Sequence, residues 1–296
     1  TKTYVQVTIP EEMVSAQTRT SIDGNTTNWV EGDRVAVLLY DGSVTRTCLF
    51  TADKSGATTT FSGDVPVGSY TLAAAYYPYD CSASFDAVNK TFKHTWGDAY
   101  CTSNLADYDF MYTNIWEEPF SVDETSTVLP VNFTFKPLMA RIKITLGLGA
   151  NETPRKIMLE TDANVLPTAG TIDALGNFTA SSVTNAITIP TGQKEFVIGL
   201  LPVGIHSTLT VKVMTADGLT YSDKSLTLAG LKRNHHYTMS VPCNRKTVTI
   251  AVPDAIDSKY GSDTWKDNGF YYVDPQYDPD GLFDGWYFYR AEIKSD

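Results

Sequence analysis

Four aspartates near the C-terminus are the first candidates for chemistry. Asp274, Asp278, Asp280 and Asp284 lie in the segment DPQYDPDGLFDG, among glycine and proline residues. Because Ca²⁺ takes several carboxylate and carbonyl oxygens from one loop, this segment is a candidate calcium site. The spacing is not that of an EF-hand loop, which ends in a glutamate ligand. Solvated turn residues are the favoured interpretation, and no metal or other cofactor is expected.

Aromatic residues occupy the same part of the chain. Tyr271, Tyr272, Tyr277 and Trp286 are candidate ligand contacts, because exposed aromatic rings bind sugar rings and protein partners. The alternative is that these rings pack on a neighbouring β-sheet, and packing is the favoured interpretation.

Thiols and nucleophiles show no catalytic or zinc-binding pattern. None of the four cysteines belongs to a C-x-x-C pair, which argues against a zinc site. Cys81 and Cys101 flank one segment and are candidates for a disulfide, although buried free thiols are favoured. The motifs G-x-S-x-G and H-E-x-x-H are absent from the sequence, so no enzyme is predicted. Paired carboxylates that meet only in the folded chain stay open.

Arg19 raises the question of whether the chain is cut. It lies in TRTSIDGNTTNWVEGDRVAVLLY (18–40), among small polar residues. A solvated surface charge is the commoner role of an arginine. A cut at this position would instead detach the alternating strand YVQVTIP, in which Val5, Val7 and Ile9 share one face.

The bulk composition predicts an all-β protein. Of the 296 residues, 42% are hydrophobic and 19% are charged, and Thr, Ser, Val and Tyr recur, a mixture that favours strands. The formal net charge of −11 argues against nucleic acid as a partner. No apolar run is long enough to span a bilayer. The start at Thr1 shows no signal peptide, which predicts a cytosolic protein or prior removal of such a segment.

Hydrophobic patterns predict where the strands lie. DRVAVLLY (33–40) is apolar on both faces, as a central sandwich strand is. VNFTFKPLMARIKITLGL (131–148) alternates, with Ile142 and Ile144 on a core face and Arg141 and Lys143 opposite. Residues 82–107 are expected to be irregular, and 254–285 mostly loop before a last strand, WYFYRAEI. We predict two domains, residues 1–127 and 128–296, the second with an Asp- and Tyr-rich tail from about 254.

The order of these segments resembles the fimbrillin family of Bacteroidetes, the subunits of type V pili and their relatives. The resemblance is carried by four segments that together span roughly residues 4–252: TRTSIDGNTTNWVEGDRVAVLLY, AAAYYPYD, VNFTFKPLMARIKITL and LAGLKRNHHYTMSVPC. The family often has Gly-x-x-Tyr in the last segment, where this chain has Asn234 before Tyr237. The tail after residue 253 matches no family signature.

The resemblance implies a fold and a mode of assembly. It implies two tandem transthyretin-like β-sandwich domains. In family members that polymerise, an arginine-specific protease removes the first strand, and a strand of another subunit fills the groove. Arg19 is then the candidate cleavage position, after which the strand with Val5, Val7 and Ile9 is exchanged. The candidate donor is the C-terminal strand, in which alternate residues share a face: Tyr287, Tyr289, Ala291 and Ile293. KTVTIAV (246–252) is the second candidate.

The resemblance also implies a function and a location. We expect a non-enzymatic type V pilus subunit or accessory protein that serves in cell adhesion, with other pilus subunits as partners. Export would place it at the outer membrane or in a fimbrium, with anchoring through a lipid attached upstream of Thr1. The alternative is a monomeric surface adhesin or glycan-binding module, whose tail aromatics contact a host glycan or protein.

Overall fold

The computed structural model describes residues 4–9, 21–23, 26–102, 104–204, 207–228, 230–243, 246–250, 271–273, 285–287 and 291–295. The all-β prediction is confirmed, because the helical elements among these residues are two 3₁₀ turns, Tyr79–Cys81 and Leu105–Asp107. Contacts divide the chain into two compact units, residues 1–243 and 244–296. Among the described residues, no helix has the length and apolar character needed to cross a membrane.

Seven antiparallel strands form the largest sheet of the first unit. They are β1 (Tyr4–Ile9), β4 (Arg34–Tyr40), β5 (Thr45–Ala52), β6 (Phe61–Pro66), β8 (Leu72–Tyr77), β11 (Met111–Thr113) and β13 (Phe135–Pro137). Their order is β1-β6-β5-β4-β8-β11-β13, so β1 and β13 are the edges. Two short ladders accompany the sheet: β2 (Ser21–Asp23) pairs with β3 (Thr26–Asn28), and β7 (Gly68–Tyr70) pairs with β12 (Phe120–Val122).

Two hydrophobic cores cover opposite faces of this sheet near its centre. We define the first core as the cluster of buried side chains that includes Val7, Ile9, Trp29, Val35, Val37, Leu39, Phe50, Phe61, Val65, Leu129, Val131, Phe133 and Phe135. The second core includes Ala36, Leu38, Phe110, Tyr112, Met139 and the apolar residues of the strands after β13. Successive residues of β4 therefore enter different cores, which explains why this strand is apolar on both faces.

Two further sheets enclose the second core as a β-sandwich. One has three strands: β14 (Ala140–Gly147), β19 (Glu195–Leu200) and β22 (His236–Pro242), in the order β19-β14-β22. The other has four: β15 (Pro154–Thr161), β18 (Ala186–Pro190), β20 (Ser207–Thr215) and β21 (Thr220–Leu228), in the order β18-β15-β20-β21. β22 runs parallel to β14, whereas the other pairs are antiparallel.

A third sheet joins the two halves of the first unit. It consists of β9 (Ser84–Asp86), β10 (Thr91–Thr95), β16 (Leu166–Ile172) and β17 (Phe178–Thr184), in the order β17-β16-β10-β9. The expectation that residues 82–107 are irregular is therefore wrong for β9 and β10. Asp86 accepts hydrogen bonds from the backbone of Val88 and Asn89, which closes a tight turn and lets two short polar strands pair.

The burial of Arg141 differs from the prediction for β14, which placed its side chain opposite the core face. Its neighbours alternate as predicted, with Ile142 and Ile144 buried and Lys143 exposed. Arg141 itself is buried, and its Nη2 lies 2.6 Å from Oδ2 of the equally buried Asp109. Burial raises the pKa of the Asp109 carboxyl, and the guanidinium opposes that rise. The pair fastens the segment before β11 to the sandwich around the second core.

The predicted domain boundary at residues 127 and 128 stays a prediction. Leu129, Val131 and Phe133 pack in the first core, and the second core takes over from Leu138. Hydrogen bonds between distant parts of the chain connect the two halves of the first unit. For example, the amide of Gly199 donates to the hydroxyl of Tyr108 at 2.9 Å.

The second unit contains two short antiparallel ladders. β23 (Lys246–Ile250) pairs with β26 (Ala291–Ser295), and β24 (Tyr271–Val273) pairs with β25 (Gly285–Tyr287). The segment predicted as one last strand, residues 286–293, thus contributes to two ladders. β24 also lies inside 254–285, which was predicted as mostly loop.

His94 on β10 gives the chain a predicted pH response. Its ring stacks on Phe110 at 5.8 Å between centroids, and burial lowers its pKa. Because the unfolded chain then binds the proton more strongly, stability is lost as the pH falls below about 6.5. We expect the fall in Tm between pH 7 and pH 5 to be smaller in His94→Gln, measured by thermal unfolding. The exposed His235→Gln is the control, and equal slopes in wild type and His94→Gln would contradict this.

Candidate functional site

β1 is an edge strand that is fully paired on one side only. It runs antiparallel to β6 along its length, from Tyr4 opposite Pro66 to Ile9 opposite Phe61. On the other side, the described residues hold it at Thr8 alone. The Thr8 amide donates to the Thr127 carbonyl at 3.1 Å, and the Leu129 amide donates to the Thr8 carbonyl at 2.9 Å.

The side chains of β1 alternate between core and solvent. Val7 and Ile9 are completely buried in the first core, and Val5 packs against it half-buried. Tyr4 and Gln6 are exposed on the opposite face. The strand therefore contributes a row of apolar side chains to a core that is otherwise built by later strands.

The surface that receives β1, which we call the β1 seat, is formed by β6 and the segment that ends at Leu129. Phe61, Gly63 and Val65 are the β6 residues opposite Ile9, Val7 and Val5. A Cβ on Gly63 would lie 2.3 Å from the Leu49 carbonyl oxygen and 2.6 Å from the Phe50 ring. The bare glycine therefore lets Phe50 lie against the backbone of β6.

Four aromatic side chains of the first core, which we call the floor of the β1 seat, pack against one another. The Trp29 ring contacts Phe61, Tyr77 and Phe135 edge-on, with centroid distances of 4.8, 5.6 and 5.4 Å. Edge-to-face contacts of this kind are favoured by the ring quadrupoles. The floor is built from residues outside β1, so it does not depend on that strand for its aromatic contacts.

A buried tyrosine holds the end of β6. The Tyr70 hydroxyl donates to the Pro66 carbonyl at 2.6 Å, next to the point where β1 begins. Burial raises the pKa of Tyr70, so the phenol stays protonated and keeps donating at neutral pH. This bond fixes the corner between β6 and β7.

The described residues bring only part of the predicted set together. Val5, Val7 and Ile9 line one face of β1. Several candidates lie outside the described residues: Arg19, Asp274, Tyr277, Asp278, Asp280, Asp284 and Tyr289. In the second unit, Tyr271 pairs with Tyr287 and Tyr272 with Trp286, while Ala291 and Ile293 pair with Ile250 and Val248. The roles assigned to these residues stay predictions.

The disulfide between Cys81 and Cys101 does not form, and all four thiols are free. Cys101 is buried, with its Sγ 3.1 Å from the Gly199 carbonyl oxygen. Burial raises the pKa of Cys101 to about 12 and that of Cys81 to about 11. Both thiols therefore stay protonated and unreactive at neutral pH.

Sequence reasoning missed the part of the first core that comes from beyond residue 127. The signal was visible, because Val131, Phe133 and Phe135 alternate with Asn132, Thr134 and Lys136. The pattern identified a strand-like segment with one buried face. It did not identify which of two cores that face joins.

Comparison with known proteins identifies the family. The profile described as fimbrillin-like matches residues 18–255, so the chain belongs to the fimbrillin-like family, as the resemblance in the sequence indicated. Membership of this family supports a fimbrial or adhesin-like role at the cell surface. None of the curated proteins matches the chain.

Solved structures with a similar chain path come from Bacteroides and Porphyromonas species. A candidate cell adhesion protein from Bacteroides uniformis is 14% identical, with 85% of this chain and 93% of that chain covered and a TM-score of 0.48. One from Bacteroides ovatus is 15% identical, with 82% and 92% covered and a TM-score of 0.45. The C-terminally truncated tip fimbrial protein Mfa3 from Porphyromonas gingivalis is 10% identical, with 86% and 96% covered and a TM-score of 0.36.

Proposed function

We propose that this protein is a fimbrial subunit that assembles by exchanging β1 for a strand of another subunit. The observation that carries the proposal is the state of β1, an edge strand that fills a core with Val7 and Ile9. Among the residues that the structure describes, it is held on its outer side at Thr8 alone. A strand with these properties is replaceable, because another strand with the same alternation makes the same ladder and fills the same core.

The energetics of exchange favour a fibre over an emptied groove. Burial of an aliphatic side chain is worth about 1.5–3 kcal/mol, so losing Val7 and Ile9 exposes a surface worth about 3–6 kcal/mol. Loss of β1 also leaves the facing edge of β6 without its partner. A strand from a second copy removes both costs. The uncut β1 prevents this reaction by occupying the groove.

Cleavage after Arg19 supplies the trigger in this proposal. The segment 10–20 links β1 to the rest of the chain, and Arg19 is the arginine within it. Once the link is cut, β1 is held only by its ladder and its buried side chains. A strand from another subunit then competes with a β1 that is no longer covalently attached to its own groove.

The C-terminal strand is the proposed donor. Tyr287, Tyr289, Ala291 and Ile293 recur at every second position, as the side chains of a strand that fills a groove must. Residues 291–295 pair with β23 in the structure, so donation requires that ladder to open. We propose the outer surface of the cell as the place of assembly, with lipid anchoring upstream of Thr1.

Limited digestion with an arginine-specific protease tests this function. We expect selective cleavage after Arg19, followed by a ladder of oligomers on an unboiled gel and fibres in electron micrographs. The matched control is Arg19→Lys, which keeps the charge but removes the cleavage site, and it should stay monomeric under the same treatment. If the cut wild-type protein stays monomeric or unfolds, β1 is a permanent core strand, and an accessory or adhesin role replaces this proposal.

A further inference from the structure

Two adjoining hollows on the first unit share Lys232. The basic hollow has a volume of about 510 Å³ and is lined by Thr134, Lys136, Pro137, Lys232, Arg233, Asn234 and His235. The aromatic hollow has a volume of about 480 Å³, and its lining includes Phe178, Pro202, Leu231, Lys232 and Tyr237. Each volume falls within the range of about 300–1,000 Å³ that small-molecule sites occupy.

The cations of the basic hollow lack ion-pair partners among the residues that the structure describes. Within the described ranges, Lys136, Lys232 and Arg233 form no salt bridge, although other exposed cations such as Lys143 and Lys90 do. Burial raises the pKa of Tyr112, Arg233 lowers it, and Asp173 is near enough to raise it as well. That carboxylate already accepts bonds from Leu175 and Asn177 in its own turn. An anionic ligand at this hollow would therefore meet cations that are not already neutralised by a carboxylate.

Arg233 is held in place by groups that carry no charge. Its Nη1 donates to the hydroxyl of Tyr112 at 3.0 Å, and Tyr112 is buried. A Cβ on Gly176 would lie 3.4 Å from the guanidinium carbon and 2.4 Å from the Tyr112 hydroxyl. The glycine therefore makes room for both groups. A guanidinium has five N–H donors in a planar fork, and this one is oriented without a carboxylate.

The backbone of this loop is already occupied by internal bonds. The Lys232 amide donates to the Tyr237 hydroxyl, the Asn234 amide to the Met139 carbonyl, and the His235 carbonyl accepts from the Arg141 amide. An extended peptide would need such groups to form a ladder. Recognition by this loop is therefore left to its side chains, which suits a compact ligand.

The aromatic hollow supplies the apolar part of such a site. Phe178 and Tyr237 are both half-buried, so each leaves ring surface uncovered. The Tyr237 ring is fixed by its bond to the Lys232 amide at 3.0 Å, and Phe178 packs edge-on against Trp96. Amphipathic ligands such as sugars use ring faces in this way.

We propose that the two hollows form one binding site for an acidic sugar. The sugar ring lies against Tyr237 and Phe178, its carboxylate or sulfate binds Arg233 with Lys136 and Lys232, and its hydroxyls bond to Thr134 and Asn234. The site is independent of strand exchange, since no residue of β1 or its seat takes part. Such a site would let the protein bind a carbohydrate of opposite charge at the cell surface.

Isothermal titration of the full chain with three probes tests the site. The probes are sialyllactose, which carries a carboxylate, lactose 3′-sulfate, and neutral lactose. We expect at least one anionic probe to bind about tenfold or more tightly than lactose, because charge-assisted hydrogen bonds are lost with the anion. Binding should weaken as salt is added. The stronger anionic probe identifies whether the site takes a carboxylate or a sulfate.

Substitutions separate this site from general charge attraction. Lys232→Glu and Arg233→Gln should each weaken binding of the preferred probe about tenfold or more. The matched control is Lys93→Gln, which removes an exposed cation of β10 and should leave affinity within about twofold. The melting curve of each variant shows that it is folded, and Lys136→Gln replaces Arg233→Gln if the latter is not.

Several results would overturn the proposal. They are the absence of binding by both anionic probes, equal binding of lactose, or unchanged affinity in Lys232→Glu. A further such result is that a synthetic peptide of residues 274–284, with its four aspartates, binds at the hollows while the sugars do not. The ligand would then be an acidic peptide.

Discussion

Replacing Asp109 by leucine is expected to lower the free energy of unfolding by about 3–5 kcal/mol, because it leaves Arg141 as a buried cation without its carboxylate. The side chains are only 2% and 4% exposed, and Nη2 lies 2.6 Å from Oδ2. Arg141→Met should cost a similar amount, since it leaves a buried carboxylate. Urea unfolding monitored by circular dichroism measures both changes.

The double variant Asp109→Leu, Arg141→Met separates the pair from its surroundings. Apolar replacement of both partners of a buried ion pair is often neutral or stabilising, so the double variant should lose much less than the sum of the single losses. The matched control lies two residues further along β14. Lys143→Met breaks the exposed pair with Glu195, at 2.7 Å, and should cost at most about 1 kcal/mol. Equal losses in Asp109→Leu and Lys143→Met would contradict the argument.

This ion pair also marks a limit of sequence reasoning. The alternation in residues 140–147 predicted β14 and its core face correctly, because side-chain period is a local property of a strand. The same period assigned Arg141 to solvent. Its burial depends on Asp109, which lies 32 positions earlier and belongs to a segment that joins the two cores. No local pattern contains that information.

The cores show the same division between local and long-range information. The doubly apolar run of β4 predicted a central strand, and β4 lies in the middle of the seven-stranded sheet. The pattern did not show that its two faces enter different cores, one completed by Phe133 and the other by Met139. Likewise β9 and β10 were missed, because β10 pairs with β16 from the other half of the unit, and β9 pairs with β10.

For the candidate site, the sequence predicted the alternating strand but not its environment. Val5, Val7 and Ile9 were recognisable as one face of β1. Gly63, which brings Phe50 against the backbone of β6, had no local signature that distinguished it from a turn glycine. The contact that holds Thr8 was equally hidden, because Thr127 lies 119 positions away and Leu129 lies further still.

Fastening β1 to β6 is expected to abolish assembly. Gln6 and Asp64 are directly opposite in the antiparallel ladder and both exposed, so their Cα atoms lie at a separation of about 4.5–5.5 Å that a disulfide spans. In Gln6→Cys, Asp64→Cys, the oxidised protein keeps residues 1–19 attached after cleavage at Arg19. It should form no ladder on a gel and no fibres. Reduction should restore assembly to the wild-type extent.

Two controls make this result specific to release of β1. Thr51 and Ser62 are opposite each other in β5 and β6, so Thr51→Cys, Ser62→Cys introduces a comparable bridge between two strands that both remain after cleavage. That variant should assemble whether oxidised or reduced. The native thiols of Cys48, Cys101 and Cys243 are buried, and oxidised wild type shows whether they interfere.

If the locked protein polymerises after cleavage, β1 need not leave its seat, and strand exchange at this edge is wrong. If it stays monomeric until reduced, departure of β1 is the step that permits assembly.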